Sequence, residues 1–135
     1  MGKTLVACVD DLFFRSKIEA TARHLNVPLR FTDAKDLAKT CREGKTAAVV
    51  LDLSANGNPL EVVAELRKDP ATQDLSIIGF LSHVDRDLAR RAESAGVTRV
   101  MPRSEFSESL PDLMMDLLAP GTKRAIQEEP ELPDE

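Results

Sequence analysis

Five short apolar runs punctuate the chain, and the stretches between them repeat their apolar residues at helical spacing. Residues 4–9 are apolar at nearly every position, the pattern of a strand buried on both faces. Residues 12–25 put Phe14, Ile18, Ala22 and Leu25 on one helical stripe, with Asn26 as the stop. Residues 27–31 predict a short second strand, for which Pro28 suits an edge position. Asp33 is placed to cap a helix running to Glu43 and ended by Gly44. Residues 46–53 form the most hydrophobic run and so the predicted central strand. Asn56-Gly57 marks a turn, and Asn58-Pro59 reads as an N-cap followed by proline at the first helical position. The helix that follows carries Leu60, Val63, Ala64 and Leu66 and stops before Asp69-Pro70. Residues 75–81 predict a fourth strand. Asp85 caps a helix through Ala95 that ends at Gly96, and residues 97–101 predict a fifth strand. A last helix begins between Ser104 and Ser109 and runs to Leu118. Its stripe is Leu110, Leu113, Met114, Leu117 and Leu118, and Pro111 fits only within the first turn.

Strands and helices therefore alternate, five of each. Short strands separated by helices imply βαβ units, a parallel sheet and right-handed crossovers that cover both faces. The predicted fold is α/β, a five-stranded, doubly wound three-layer sandwich of flavodoxin-like type spanning residues 1–118. Residues 119–135 hold Lys123 and Arg124 against Glu128, Glu129, Glu131, Asp134 and Glu135, with little to bury. They read as an acidic flexible tail.

Charge changes the picture mainly through its distribution. The net charge of the 135 residues is -5. Much of it belongs to the tail, so the body is nearly neutral and carries no footprint for nucleic acid. No apolar run reaches membrane-spanning length, which argues against membrane insertion. The two cysteines, Cys8 in a strand and Cys41 in a helix, read as buried free thiols. With no signal-peptide pattern, the expected location is the cytoplasm.

Candidate chemistry sits where the predicted strands end. Asp10 and Asp11 follow the first run, Asp52 lies at the end of the third, Ser82 closes the fourth and Arg103 follows the fifth. In an open parallel sheet all strand C-termini face one edge, the edge where such folds bind ligands. Carboxylates gathered there repel one another, and Mg²⁺ relieves this with oxygen ligands. Each residue also has a plainer reading. The two aspartates suit a turn and helix cap, Ser82 a loop cap, and Arg103 a surface ion pair.

With these residues in place, the sequence resembles the receiver domain of bacterial two-component response regulators, the family that includes the chemotaxis response regulator. The resemblance covers residues 3–118. It rests on Val9-Asp10-Asp11, strand-terminal Asp52, Leu81-Ser82 and Ala95-Gly96-Val97, in that order and spacing. It implies that Asp10 and Asp11 help hold Mg²⁺, and that Asp52 is both phosphoacceptor and metal ligand. The backbone carbonyl of Ser54 would complete the coordination, and Ser82 would hydrogen-bond the phosphoryl group. Arg103 stands where the family has lysine. The implied partners are a histidine kinase or histidine phosphotransfer protein and a downstream protein target. Arg86, Arg90, Arg91 and Arg99 fall on the surface through which the family binds partners.

The sequence also departs from that pattern. Arginine is a rigid fork where lysine is a flexible point charge. Ser104 replaces the usual proline and Pro102 lies one place upstream, which predicts a rebuilt fifth loop. Val100 stands where the family has an aromatic switch residue, and His83 where it has a small one. The loop after Asp52 lacks the usual methionine-proline pair. The leading expectation is a single-domain, atypical response regulator. Its rival is a binding module of the same fold that is never phosphorylated. A haloacid-dehalogenase-type phosphatase would need a second acid two residues after its nucleophile. Neither Asp10 nor Asp52 has one, and no Gly-rich phosphate loop is present.

Overall fold

A computed structural model describes residues 3–82 and 85–118. The predicted tail and His83 lie outside the described residues. Five strands, β1 (Thr4–Cys8), β2 (Leu29–Phe31), β3 (Thr46–Asp52), β4 (Ser76–Leu81) and β5 (Arg99–Pro102), alternate with five helices. The helices are α1 (Leu12–Leu25), α2 (Ala34–Glu43), α3 (Pro59–Lys68), α4 (Arg86–Ala95) and α5 (Arg103–Leu118). All strand pairs are parallel, in the order β2-β1-β3-β4-β5.

Alternating side chains along the strands divide the interior into two cores. Leu5, Ala7, Val9, Val50 and Phe80 pack with Phe14 and Ile18 of α1 and Phe106, Leu110 and Met114 of α5. Val6, Cys8, Val49, Leu51 and Ile77 pack with Leu37 of α2, Val63 and Leu66 of α3 and Ala92 of α4. Burial on both faces explains why the central strands read as continuous apolar runs. β2 is the short edge strand anticipated, with Pro28 just ahead of it and its carbonyl accepting from the Leu5 N–H at 2.9 Å.

Local signals placed most helix ends. Asp33 accepts from the Asp36 N–H at 3.0 Å, and Asp85 from the Leu88 N–H at 3.0 Å. Asn26 and Gly96 end their helices in the left-handed conformation. Asn58 is the N-cap of α3 and Pro59 opens the helix, as anticipated, but Asn58 sits at φ 55° and makes no side-chain cap bond. Gly57 beside it has φ 93°, and a Cβ there would come within 2.9 Å of the Ala34 Cβ. The turn passes close to α2, and Asn58 adopts the left-handed conformation, which asparagine enters more readily than most residues.

One expectation fails, at α5. It begins at Arg103, directly after β5, so Pro111 lies in the helix interior rather than its first turn. Phe106 belongs to the buried stripe with Leu110, Leu113 and Met114, and that packing pulls the helix start upstream. Pro111 is on the exposed face, where water can reach the carbonyl that loses its donor. The predicted rebuilt loop is therefore no loop at all, since strand passes into helix without an intervening residue.

Candidate functional site at the carboxyl edge of the sheet

Asp52 closes the central strand, and the residue is only 3% exposed. The Ser54 N–H donates to its Oδ1 at 3.0 Å, and the Ala55 N–H donates to its carbonyl at 3.0 Å. Burial holds the carboxyl above the ordinary carboxylate range. The Ser54 and Asp10 backbone N–H groups and the Arg103 charge pull it back down. The Asp10 carboxylate adds a smaller upward push.

Asp10 is exposed at the end of β1, and its Oδ2 accepts from the Asn56 N–H at 2.7 Å. This bond ties the segment after β1 to the loop after β3, directly beside Asp52. Asp11 takes up the plainer role that its position allowed. Its Oδ1 accepts from the Phe13 and Phe14 N–H groups at 2.9 and 3.2 Å and caps α1. The cluster also marks Cys8 below it. Burial first, then Asp10, Asp33 and Asp52, push that thiol up to about 12. Cys8 and Cys41 are both free and buried, as anticipated.

Ser82 is exposed, and its carbonyl accepts from the Asp85 N–H at 3.1 Å. With Arg103, Ser104, Ser107, Phe13 and Phe14 it lines a pocket of about 390 Å³ on the α1/α5 side. Arg103 does not reach Asp52 as an ion-pair partner. Its guanidinium lies over the Phe14 ring, 5.2 Å from the centroid, and its Nε is buried without a hydrogen-bond partner among the described residues. Beneath it Phe14, Phe80 and Phe106 stack, with Phe80 and Phe106 4.5 Å apart. Sequence reading anticipated Phe14 in the core but missed this stack, because its three members are far apart in the chain.

The oxygen donors expected for Mg²⁺ share one edge and have the right chemistry, carboxylates and a carbonyl. They are not gathered into a finished site. Among the described residues no three acidic, histidine or cysteine side chains form a metal-holding group. Asp10 commits one carboxylate oxygen to one backbone N–H and Asp11 one oxygen to two, and each keeps its other oxygen. The donor set thus fits a hard cation, provided the side chains close around it.

The four arginines proposed as a partner surface are all exposed on α4 and β5. Arg91 pairs with Asp87 at 3.1 Å and Arg99 with Glu105 at 3.4 Å. The surface is therefore only in part basic. One residue that sequence reading passed over is Arg67. It donates to the carbonyls of Gly96, Gln73 and Leu75 at 2.9, 2.7 and 2.7 Å and to the Thr98 hydroxyl at 3.1 Å. It clamps α3 to the ends of the two strands beyond it, and nothing in its local sequence marked it.

No family model and no curated protein matches the chain. Solved structures do. The receiver domain of a sensor histidine kinase from Pseudomonas aeruginosa PAO1 superposes with a TM-score of 0.77 at 14% identity, over 88% of this chain and 99% of that one. That domain holds a magnesium ion in its active-site cleft. A response regulator from Hahella chejuensis superposes at 0.75 and 20% identity, over 87% and 96% of the two chains. A phosphorylated cyanobacterial phytochrome response regulator superposes at 0.74 and 14% identity, over 89% and 96%. The chain has the receiver-domain fold, with Asp52 at the end of its central strand. No described helix is long and apolar enough to cross a membrane.

Proposed function

We propose that the protein is an atypical single-domain response regulator that accepts a phosphoryl group on Asp52 and signals through protein contacts. The observation that carries this reading is the Asp52 carboxylate. It is buried at the carboxyl end of the central strand, beside Asp10 and within reach of the Arg103 charge. Asp52 Oδ1 is anchored by Ser54, so Oδ2 is the attacking oxygen. Asp10, Asp11, Asp52 and the Ser54 carbonyl would hold Mg²⁺, which neutralises charge on the transferring group. Ser82 donates its hydroxyl to a phosphoryl oxygen. Arg103 swings from Phe14 toward the new charge, as a positively charged fork suits phosphate. The donor is a histidine kinase or phosphotransfer protein, and the exposed arginines of α4 and β5 contact the target.

The test is intact mass after incubation with phosphoramidate and Mg²⁺. A labile phosphoryl adduct is expected on the wild type and not on Asp52→Asn or in chelator. Failure of the folded wild type to label, with this donor and with a histidine-phosphorylated protein, rejects the reading. It would favour a phosphorylation-independent binding module of the same fold. That second reading is favoured by Asp11 serving as a cap and by Arg103 lying over Phe14.

A further inference from the structure

Arg86 and Arg90 stand about one helical turn apart on α4, both exposed, and so share a face. Among the described residues neither makes an ion pair. Arg91 beside them is held by Asp87 at 3.1 Å, and Arg99 of β5 by Glu105 at 3.4 Å. The Asp85 carboxylate is occupied in the helix cap, where it accepts from the Leu88 N–H. The outer face of α4 thus presents two guanidinium charges with no carboxylate paired to them among the described residues. The outer face of α5 has the opposite sign, with Glu108 and Asp112 exposed. The two helices pack on opposite faces of the sheet, and both touch the edge strand β5.

Beyond Leu118, where α5 ends, the sequence carries charge in a set order: Lys123 and Arg124 first, then Glu128, Glu129, Glu131, Asp134 and Glu135. We propose that residues 128–135 dock as an acidic strap on the Arg86–Arg90 face of α4 in the same chain. The charge order fits this path. Lys123 and Arg124 suit the acidic face of α5, which repels the carboxylates that follow, and those carboxylates suit guanidinium groups. Reach fits as well. From one helix layer round the β5 edge to the other is about 20 Å, two packing distances of about 10 Å. The ten residues 119–128 span up to about 35 Å when extended. Each exposed ion pair is weak, so the strap holds because it is tethered at high effective concentration, and salt releases it. The docking does not require Asp52 to be a phosphoacceptor. It covers the arginines that the proposed function gives to the target, so a target that binds there must displace the strap.

The experiment places a thiol-reactive spin label on Pro133→Cys in the full chain, where the buried Cys8 and Cys41 do not compete for it. Amide signals of the unphosphorylated ¹⁵N-labelled protein are compared with the label active and reduced. At low salt the signals of Arg86, Arg90 and Arg91 are expected to lose at least about half their intensity, and to recover it in 1 M salt, where the screening length is about 3 Å. Arg86→Gln combined with Arg90→Gln should abolish the loss, and Lys17→Gln on α1 should leave it. The remaining amide signals show that each variant is folded. Equal intensities along α4, a loss centred on α1, or a loss on α4 that survives salt and the double variant overturns the inference. So does a loss that appears in full when spin-labelled chains are mixed with separate ¹⁵N chains, because the contact is then between copies. None of these results touches the reading of Asp52 as acceptor.

Discussion

At Asp52, burial works against the charge that its chemistry needs. The folded chain holds the proton more tightly there than the unfolded chain does, chiefly through desolvation. Between the two pKa values the folded state binds more protons, so this group's contribution to stability falls as pH rises through that window. Asp52→Asn removes the buried charge and is expected to raise the melting temperature near neutral pH. The gain should vanish below the ordinary carboxylate range, where the wild-type residue is neutral in both states. Calorimetry across that range checks this, and a lower melting temperature for the variant near neutral pH would refute it. Such a residue is held in tension by its fold, and a cation bound beside it would relieve that tension.

Among the elements, α3 is fastened by one side chain. Arg67 holds three backbone carbonyls and a hydroxyl, including the Gly96 carbonyl at the end of α4. Gly96 sits at φ 115°, and a Cβ there would meet the Arg67 Cγ at 2.8 Å. The close approach and the left-handed backbone both call for glycine. Arg67→Met keeps the aliphatic stem but leaves partly buried carbonyls without a donor. It is expected to cost about 1.5–3 kcal/mol in urea unfolding, the scale for hydrogen bonds to a charged group. A change within a few tenths of a kcal/mol would mean that water replaces the guanidinium freely.

For the whole molecule, the parallel sheet is the device that creates a site from residues distant in sequence. The Asp10–Asn56 bond spans 46 positions and joins two loops at the sheet edge. A cation held between those loops stabilises the folded chain by mass action. Millimolar Mg²⁺ is expected to raise the melting temperature of the wild type, and the rise should be much smaller in Asp10→Asn and Asp52→Asn. The same rise in all three would place the effect elsewhere on the surface. With no tryptophan in the chain, calorimetry is the direct readout.

The amino-acid sequence determined the alternation of strands and helices, the central place of β3 and the caps at Asp33 and Asp85. Each depends on apolar periodicity or on bonds within about one helical turn, so each is written locally. The same locality made Asp10, Asp52, Ser82 and Arg103 legible as strand-end residues, because parallel strands must finish at one edge. Only the tertiary structure decided how those side chains are used. Arg103 lies over Phe14 because β5 passes straight into α5, and Phe106 draws that helix start onto the aromatic stack. Asp10 meets Asn56, and Arg67 meets Gly96, through contacts that no local pattern encodes. Contacts between segments far apart in sequence arise only after the sheet has assembled, and at this edge they set the charge, the hydrogen bonds and the shape of the site.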